Sequence, residues 1–514
     1  MRKYVCCSTG DLPDFSPQPG ADGQCVAYTV EAGDTCFDIA EAHQMTVDDI
    51  LARNTQTWGW MGCENILLGA KICLSTGTPP FPAEVPNAVC GPQAPLNDTS
   101  TRPTNPDDWI DFNACPLNAC CNIWGQCGIT SEFCTVSPSE TGNPGTAAPG
   151  SNGCVSNCGT DIVTGPGPAN FEHIGYYESY HIDRPCNFMS ISDIPDKYTI
   201  VHWAFADITD DFRATISPYE NDWNDFKAAS GFKRVVSFGG WAFSTERSSY
   251  YIFREGVLPA NRQTFANNMA NFVQQEGLDG VDFDWEYPGA PDDQGSGIPI
   301  DAPERGLDYL EFLKLVRAAL PSGYTIGIAA PASFWYLKAF PIAEISEVVD
   351  YIVYMTYDLH GQWDFGNKFT SPGCPNGNCL RSHINQTETE TALSMVTKAG
   401  VPANKLLLGQ ALYGRSFKMS SAGCYTEECT FTGPSSGAAP GRCTGVGGYL
   451  SNLEIREIIE GGGVQEYYTE EAGDILVYDE TEWVSWAKES TYNSRTDWAR
   501  GLGLGGISDW VSCA

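Results

Sequence analysis

The sequence has no long apolar run. No stretch of its 514 residues approaches the roughly 20 apolar residues a membrane-spanning helix needs, so no membrane partner is expected. It is also poor in positive charge. Twenty-nine Lys and Arg stand against 64 Asp and Glu, a formal net charge of −35. That balance argues against nucleic acid and anionic membrane surfaces, and leaves a neutral polymer open. Histidine is scarce, six in all, and none falls in a zinc-like spacing. No metal and no cofactor is expected. The opening MRKYVCCSTG lacks the apolar core of a leader peptide. The expectation is therefore a truncated N-terminus, with residues 1–24 the remnant of a preceding module or linker and Cys6 and Cys7 its tail.

Cysteine is abundant but uneven. Fourteen of 21 lie before residue 160 and seven after it. A disulfide-dense first third implies an oxidising compartment, outside the cell or in its wall. The count is odd, which leaves room for a disulfide-linked partner chain. Two sequons, at Asn97 and Asn385, fit secretion.

Proline and glycine divide the chain. TGTPPFPAEVPNAV, residues 76–89, reads as a stiff linker, and SPSETGNPGTAAPGSNG, 137–153, as a flexible one. The parts are a small module at 25–75, a Cys-rich module at 90–158 and a large domain at 171–514. In the last, eight β-rich runs alternate with amphipathic stretches: 173–177, 198–206, 233–240, 278–286, 324–332, 349–357, 405–413 and 502–510. Eight β-α units predict a parallel (β/α)8 TIM barrel, fold class α/β. The long gap between runs seven and eight reads as an inserted α+β subdomain, about 416–480.

The fourth run, LDGVDFDWE, carries Asp282, Asp284 and Glu286 at alternate positions. On a strand these share one face, roughly 6.5–7 Å apart. In a barrel that face is the interior, and Glu286, last of the three, stands at the C-terminal mouth where such folds place their chemistry. Buried carboxyls so close cannot all ionise, and at least one pKa must rise. A carboxylic acid held protonated near neutrality can protonate a leaving oxygen, as glycosidic cleavage requires. A structural carboxylate cluster or a divalent cation site is the competing reading.

Asp279 through Glu286, DGVDFDWE, resembles the DGxDxDxE signature of glycoside hydrolase family 18, the chitinases. Ser237-Phe238-Gly239-Gly240, Met355-Thr356-Tyr357-Asp358 and Trp510 resemble its third-, sixth- and eighth-strand motifs. The resemblance implies hydrolysis in which the substrate's own N-acetyl group is the nucleophile. Glu286 would be general acid and then base. Asp284 would orient the acetamido group, Asp282 would share a proton with it, and Tyr357 would donate to the acetamido oxygen. Asp358 would hydrogen-bond a sugar, Trp510 with Tyr176 would floor the cleft, and Trp241 would stack on a leaving-side sugar.

CPLNACCNIWGQCGITSEFC, residues 115–134, is similar to hevein-type chitin-binding domains. That likeness implies the pairs Cys90–Cys121, Cys115–Cys127, Cys120–Cys134 and Cys154–Cys158. It also implies a sugar platform at Asn122, Trp124 and Phe133, with one family aromatic lost to Gln126. Residues 25–75 resemble a LysM module of βααβ form, whose loops at Gly33, Asp34, Thr35 and near Asn54 would bind N-acetylglucosamine polymers. The expected whole is a secreted chitinase acting on chitin and chitooligosaccharides, with two modules that hold substrate near the cleft. It resembles fungal chitinases, including the killer-toxin-like group. The alternatives are a non-catalytic chitin lectin, the chitinase subunit of a toxin complex, and an endo-β-N-acetylglucosaminidase acting on N-glycans.

Overall fold

The computed structural model describes residues 15–95, 102–180, 184–216, 218–370 and 373–511. The chain forms two compact units, divided after Asp161.

In the first unit, strand Ala27–Thr29 pairs antiparallel with Lys71–Cys73, and helices Cys36–Ala42 and Val47–Arg53 lie between them in sequence. Thr35 and Thr46 start these helices by accepting from Asp38 N and Asp49 N. The core is small (Val30, Ile39, Ile50, Trp60, Ile72 and Leu74), and Cys25–Cys73 and Cys36–Cys63 staple it. A three-stranded sheet of Cys120–Asn122, Cys127–Gly128 and Cys154–Ser156 follows. Cys90–Cys121, Cys115–Cys127, Cys120–Cys134 and Cys154–Cys158 knit it.

The Pro/Gly-rich segment 137–153, expected to be flexible, is docked. Asn143, 6% exposed, donates from Nδ2 to the carbonyls of Asn54 (2.7 Å) and Trp60 (3.1 Å). Gly59 N donates to Pro144 O, and Gly145 lies so close to the Trp58 ring that any Cβ would strike it. Composition marked the segment as irregular. It could not show that two tryptophans needed cover.

The second unit is a closed parallel barrel: β1 (Glu172–Glu178), β2 (Ile200–Ile208), β3 (Lys233–Gly239), β4 (Gly280–Asp284), β5 (Thr325–Pro331), β6 (Tyr351–Met355), β7 (Leu406–Ala411) and β8 (Gly506–Trp510). Each pairs with the next, and β8 closes on β1. Alternate residues fill the interior, among them Ile174, Tyr176, Val235, Ala329, Tyr351, Val353 and Leu407. Val281, Phe283 and Trp285 face outward. Phe283 meets Phe312, and Trp285 stacks on Phe253 and edges Tyr309 of the surrounding helices.

Between β7 and β8 an antiparallel sheet in the order Tyr449–Ser451, Tyr413–Lys418, Glu482–Trp486, Gly473–Tyr478, Gln465–Thr469 carries helix Asn452–Gly461. The insertion thus runs from Tyr413 to Trp486, wider than 416–480, because the chain turns out of β7 at once. Cys186–Cys443 ties it to the loop after β1. The 18 described cysteines form nine disulfides. Cys6, Cys7, Cys513 and the Asn97 sequon lie outside the described residues. Asn385 is 3% exposed and caps helix Gln386–Lys398 through its side chain, so the second sequon is closed to a glycan in the folded chain. No helix among the described residues is long and apolar enough to cross a membrane.

Candidate active site

β4 ends at Asp284, two residues earlier than alternation suggests. Its neighbour β3 ends there too, since Gly239 pairs with Asp284. Gly239 (φ 115°) turns the chain so near that a Cβ would sit 2.1 Å from Asp284 O, so glycine is required twice over. Glu286 therefore stands just past the sheet, partly exposed. Ser244 Oγ accepts its N–H at 3.0 Å, and Gln294 Nε2 donates to its carbonyl at 2.8 Å.

Asp282 is fully buried in the barrel. Its Oδ2 accepts from Ser237 (2.6 Å) and Tyr176 (3.3 Å), and His202 Nδ1 lies 3.5 Å away. Oδ1 of Asp282 and Oδ1 of Asp284 have no hydrogen-bond partner among the described residues. Burial, then the charges of Glu286 and Asp282, push the Asp284 carboxyl well above the usual range. Burial also pushes Glu286 up to about 7, with a Tyr287 hydrogen bond pulling down and Asp358 adding to the rise. Burial, followed by the charges of Asp284, Asp358, Glu286 and Asp282, keeps the buried Tyr357 hydroxyl protonated. The cluster thus offers a proton donor near neutrality, a second carboxyl whose ionisation burial opposes, and a phenolic donor.

Other expected residues fall differently. Trp510 sits at the mouth on a bed of Tyr176 (5.1 Å between ring centroids) and Phe205 (5.8 Å). Tyr176 itself is 1% exposed with its hydroxyl on Asp282, so it supports the floor rather than forming it. Trp241 is exposed at the start of the helix after β3. Both oxygens of Asp358 are engaged, by Arg415 Nε (2.7 Å) and Nη2 (2.6 Å) and by Tyr413 (2.6 Å). Burial alone would raise Asp358, yet Arg415 and His383 hold it well below the carboxylate range. In the structure it holds Arg415 through two hydrogen bonds. Sequence reading missed Arg415, Tyr413, Ser244, Gln294 and the exposed Trp335 and Trp363. A charged residue in the apolar run ALYGRSF was the available signal for Arg415.

In the small modules most expected contacts are braces. Asn54 is fully buried. Its side chain donates to Ile50 O and Cys73 O and accepts from Cys73 N and Thr57. Asp34 accepts from Tyr28 and Glu31 N, Thr35 caps its helix, and Gly33 supplies a positive φ. Asn122 is 1% exposed and accepts from Trp124 N and Gln126 N. Phe133 packs over Gly128, and Trp124 alone of the expected platform is widely exposed. The Sγ atoms of Cys90, Cys115 and Cys127 cluster as metal ligands would, but all are in disulfides.

The sequence profile of the glycosyl hydrolases family 18 matches residues 172–514. The chain belongs to glycoside hydrolase family 18. Residues 28–75 match the LysM domain profile. A "Secreted chitinase LysM12" of Penicillium expansum is 48% identical over 519 residues, 99% of this chain and 34% of that protein. The "Killer toxin subunits alpha/beta" of Kluyveromyces lactis are 38% identical over 514 residues, 99% of this chain and 42% of theirs. The chain thus spans well under half the length of these curated relatives. A Group IV chitinase of Ostrinia furnacalis, solved in complex with allosamidin, superposes with a TM-score of 0.57 at 22% identity, over 66% of this chain and 92% of that one. At that identity the likeness concerns the fold alone.

Proposed function

We propose that this family 18 chain is a secreted chitinase cleaving the β-1,4 bonds of N-acetylglucosamine polymers, with retention, by substrate assistance. The observation that carries the reading is the pair of raised carboxyls, Glu286 pushed up to about 7 and Asp284 beside it raised by burial and by the charges of Glu286 and Asp282. Glu286 donates its proton to the leaving glycosidic oxygen. Asp284, beside it, turns to the acetamido N–H, while Tyr357 donates to the acetamido oxygen. The carbonyl oxygen then attacks the anomeric carbon, and Glu286, now ionised, takes a proton from the water that opens the cyclic intermediate. Trp510, seated on Tyr176 and Phe205, carries the sugar being cleaved.

The relatives' names support secretion and chitin as substrate, and the LysM match supports a polymer-holding front end. The toxin relative supports a second setting for the same reaction, in which hydrolysis opens a rival's wall. The test is hydrolysis of chitin oligomers by wild type and Glu286→Gln, with binding measured on both. Loss of at least about 10³-fold in kcat with binding kept is expected. Binding without cleavage by either protein would instead mean a lectin.

A further inference from the structure

His360 lies two residues past Asp358 and is 2% exposed. Its Nδ1 is 2.7 Å from Asp364 Oδ2, and its Nε2 is 2.9 and 3.0 Å from the two oxygens of Glu388. Carboxylates only accept, so satisfying both requires both ring nitrogens to carry protons. Burial opposes that charge. The two carboxylates overcome it and push the imidazole up to about 10. The ring thus stays charged across the neutral range.

The charged ring pins a short bend. Residues 362–364 form one 3-10 turn whose last member is Asp364, and whose middle residue, Trp363, is 49% exposed. Its indole lies against Gly361, where a Cβ would meet the ring at 2.3 Å. On the ring sits Arg415, 5.0 Å from its centroid, the same guanidinium that grips Asp358. Glu388, the other partner, is on the first turn of helix Gln386–Lys398.

We propose that His360 is a positioning residue that clamps the turn bearing Trp363 to the barrel, so that Trp363 and Arg415 present a fixed aromatic and cationic wall to a long N-acetylglucosamine oligomer. This rests on the chitinase reading above. The clamp acts through Trp363, so its effect must vanish when Trp363 is gone.

The test is a double-mutant cycle on chitohexaose with His360→Gln, Trp363→Ala and the pair. His360→Gln is expected to raise KM about five- to tenfold with kcat within about twofold. In the Trp363→Ala background it should add less than about twofold. Gly361→Ala, which displaces the indole and leaves the clamp, should reproduce the KM rise. Should His360→Gln not fold, Glu388→Gln, at the partly exposed end of the clamp, takes its place in the cycle. Nitrogen-15 NMR of wild-type histidines at pH 8 is expected to show one ring with both nitrogens protonated. A neutral ring at pH 8, an unchanged KM in folded His360→Gln, or a KM effect that persists without Trp363 would each overturn the clamp. Absence of cleavage and binding in wild type would instead sink the chitinase reading, and this inference with it.

Discussion

The barrel mouth and the two disulfide-knit modules use their motif residues in opposite ways. At the mouth, Asp282 and Asp284 each bury a carboxylate oxygen that has no partner among the described residues. In the LysM module, Asn54 is just as buried, yet both its amide nitrogen and its oxygen are satisfied. A buried polar group without a partner costs stability, and folds keep such groups where chemistry uses them. A satisfied one is architecture. The same kind of motif match thus falls on unsatisfied buried groups in one unit and on a satisfied one in the other.

The comparison breaks most readily at the mouth. Asp284→Asn should lower kcat on chitin oligomers about 10²- to 10³-fold, and Tyr357→Phe about tenfold to 10²-fold, with binding of the oligomer retained in both. Steady-state kinetics on soluble oligomers check this. The pH profile sharpens the same point. Glu286 must carry its proton, and its value in the fold is about 7. The active form is therefore present below that pH, and kcat/KM should fall about tenfold per unit above it.

Stability should fall along with activity as the pH rises. A carboxyl raised in the fold above its unfolded value contributes fully at pH below that unfolded value and loses its contribution as pH rises through 7. Glu286→Gln should therefore be more stable than wild type at pH 9, by roughly 1–3 kcal/mol, and about equal at pH 4. Thermal unfolding at the two pH values reads this directly. In the first unit, Asn54→Ala should destabilise the LysM module by about 2–3 kcal/mol and leave soluble-oligomer hydrolysis unchanged, as expected of a brace. The smallest effect is expected at the surface. Trp124→Ala should weaken retention on insoluble chitin a few-fold, in a pull-down assay, without altering oligomer kinetics.

Much of this was legible in the residues. The eight barrel strands stood out as short β-rich runs alternating with amphipathic stretches, and the carboxylate alternation in DGVDFDWE placed Asp282 inside and Val281 outside. Three things were not legible, for physical reasons. Alternation continues through Glu286, but the strand cannot, since β3 ends opposite Asp284 and leaves no pairing partner. Period two puts Tyr176 on the interior face without saying how deep, and it lies beneath Trp510. Segment 137–153 looked like a spacer because its tertiary partners, Trp58 and Trp60, are about 80 residues away.

The most direct test of the central claim is the anomeric form of the first product released from chitohexaose, followed by proton NMR before mutarotation. Substrate-assisted retention with Glu286 as acid predicts β-anomeric products from wild type and none from Glu286→Gln. α-Anomeric products, or cleavage that survives in Glu286→Gln, would contradict it.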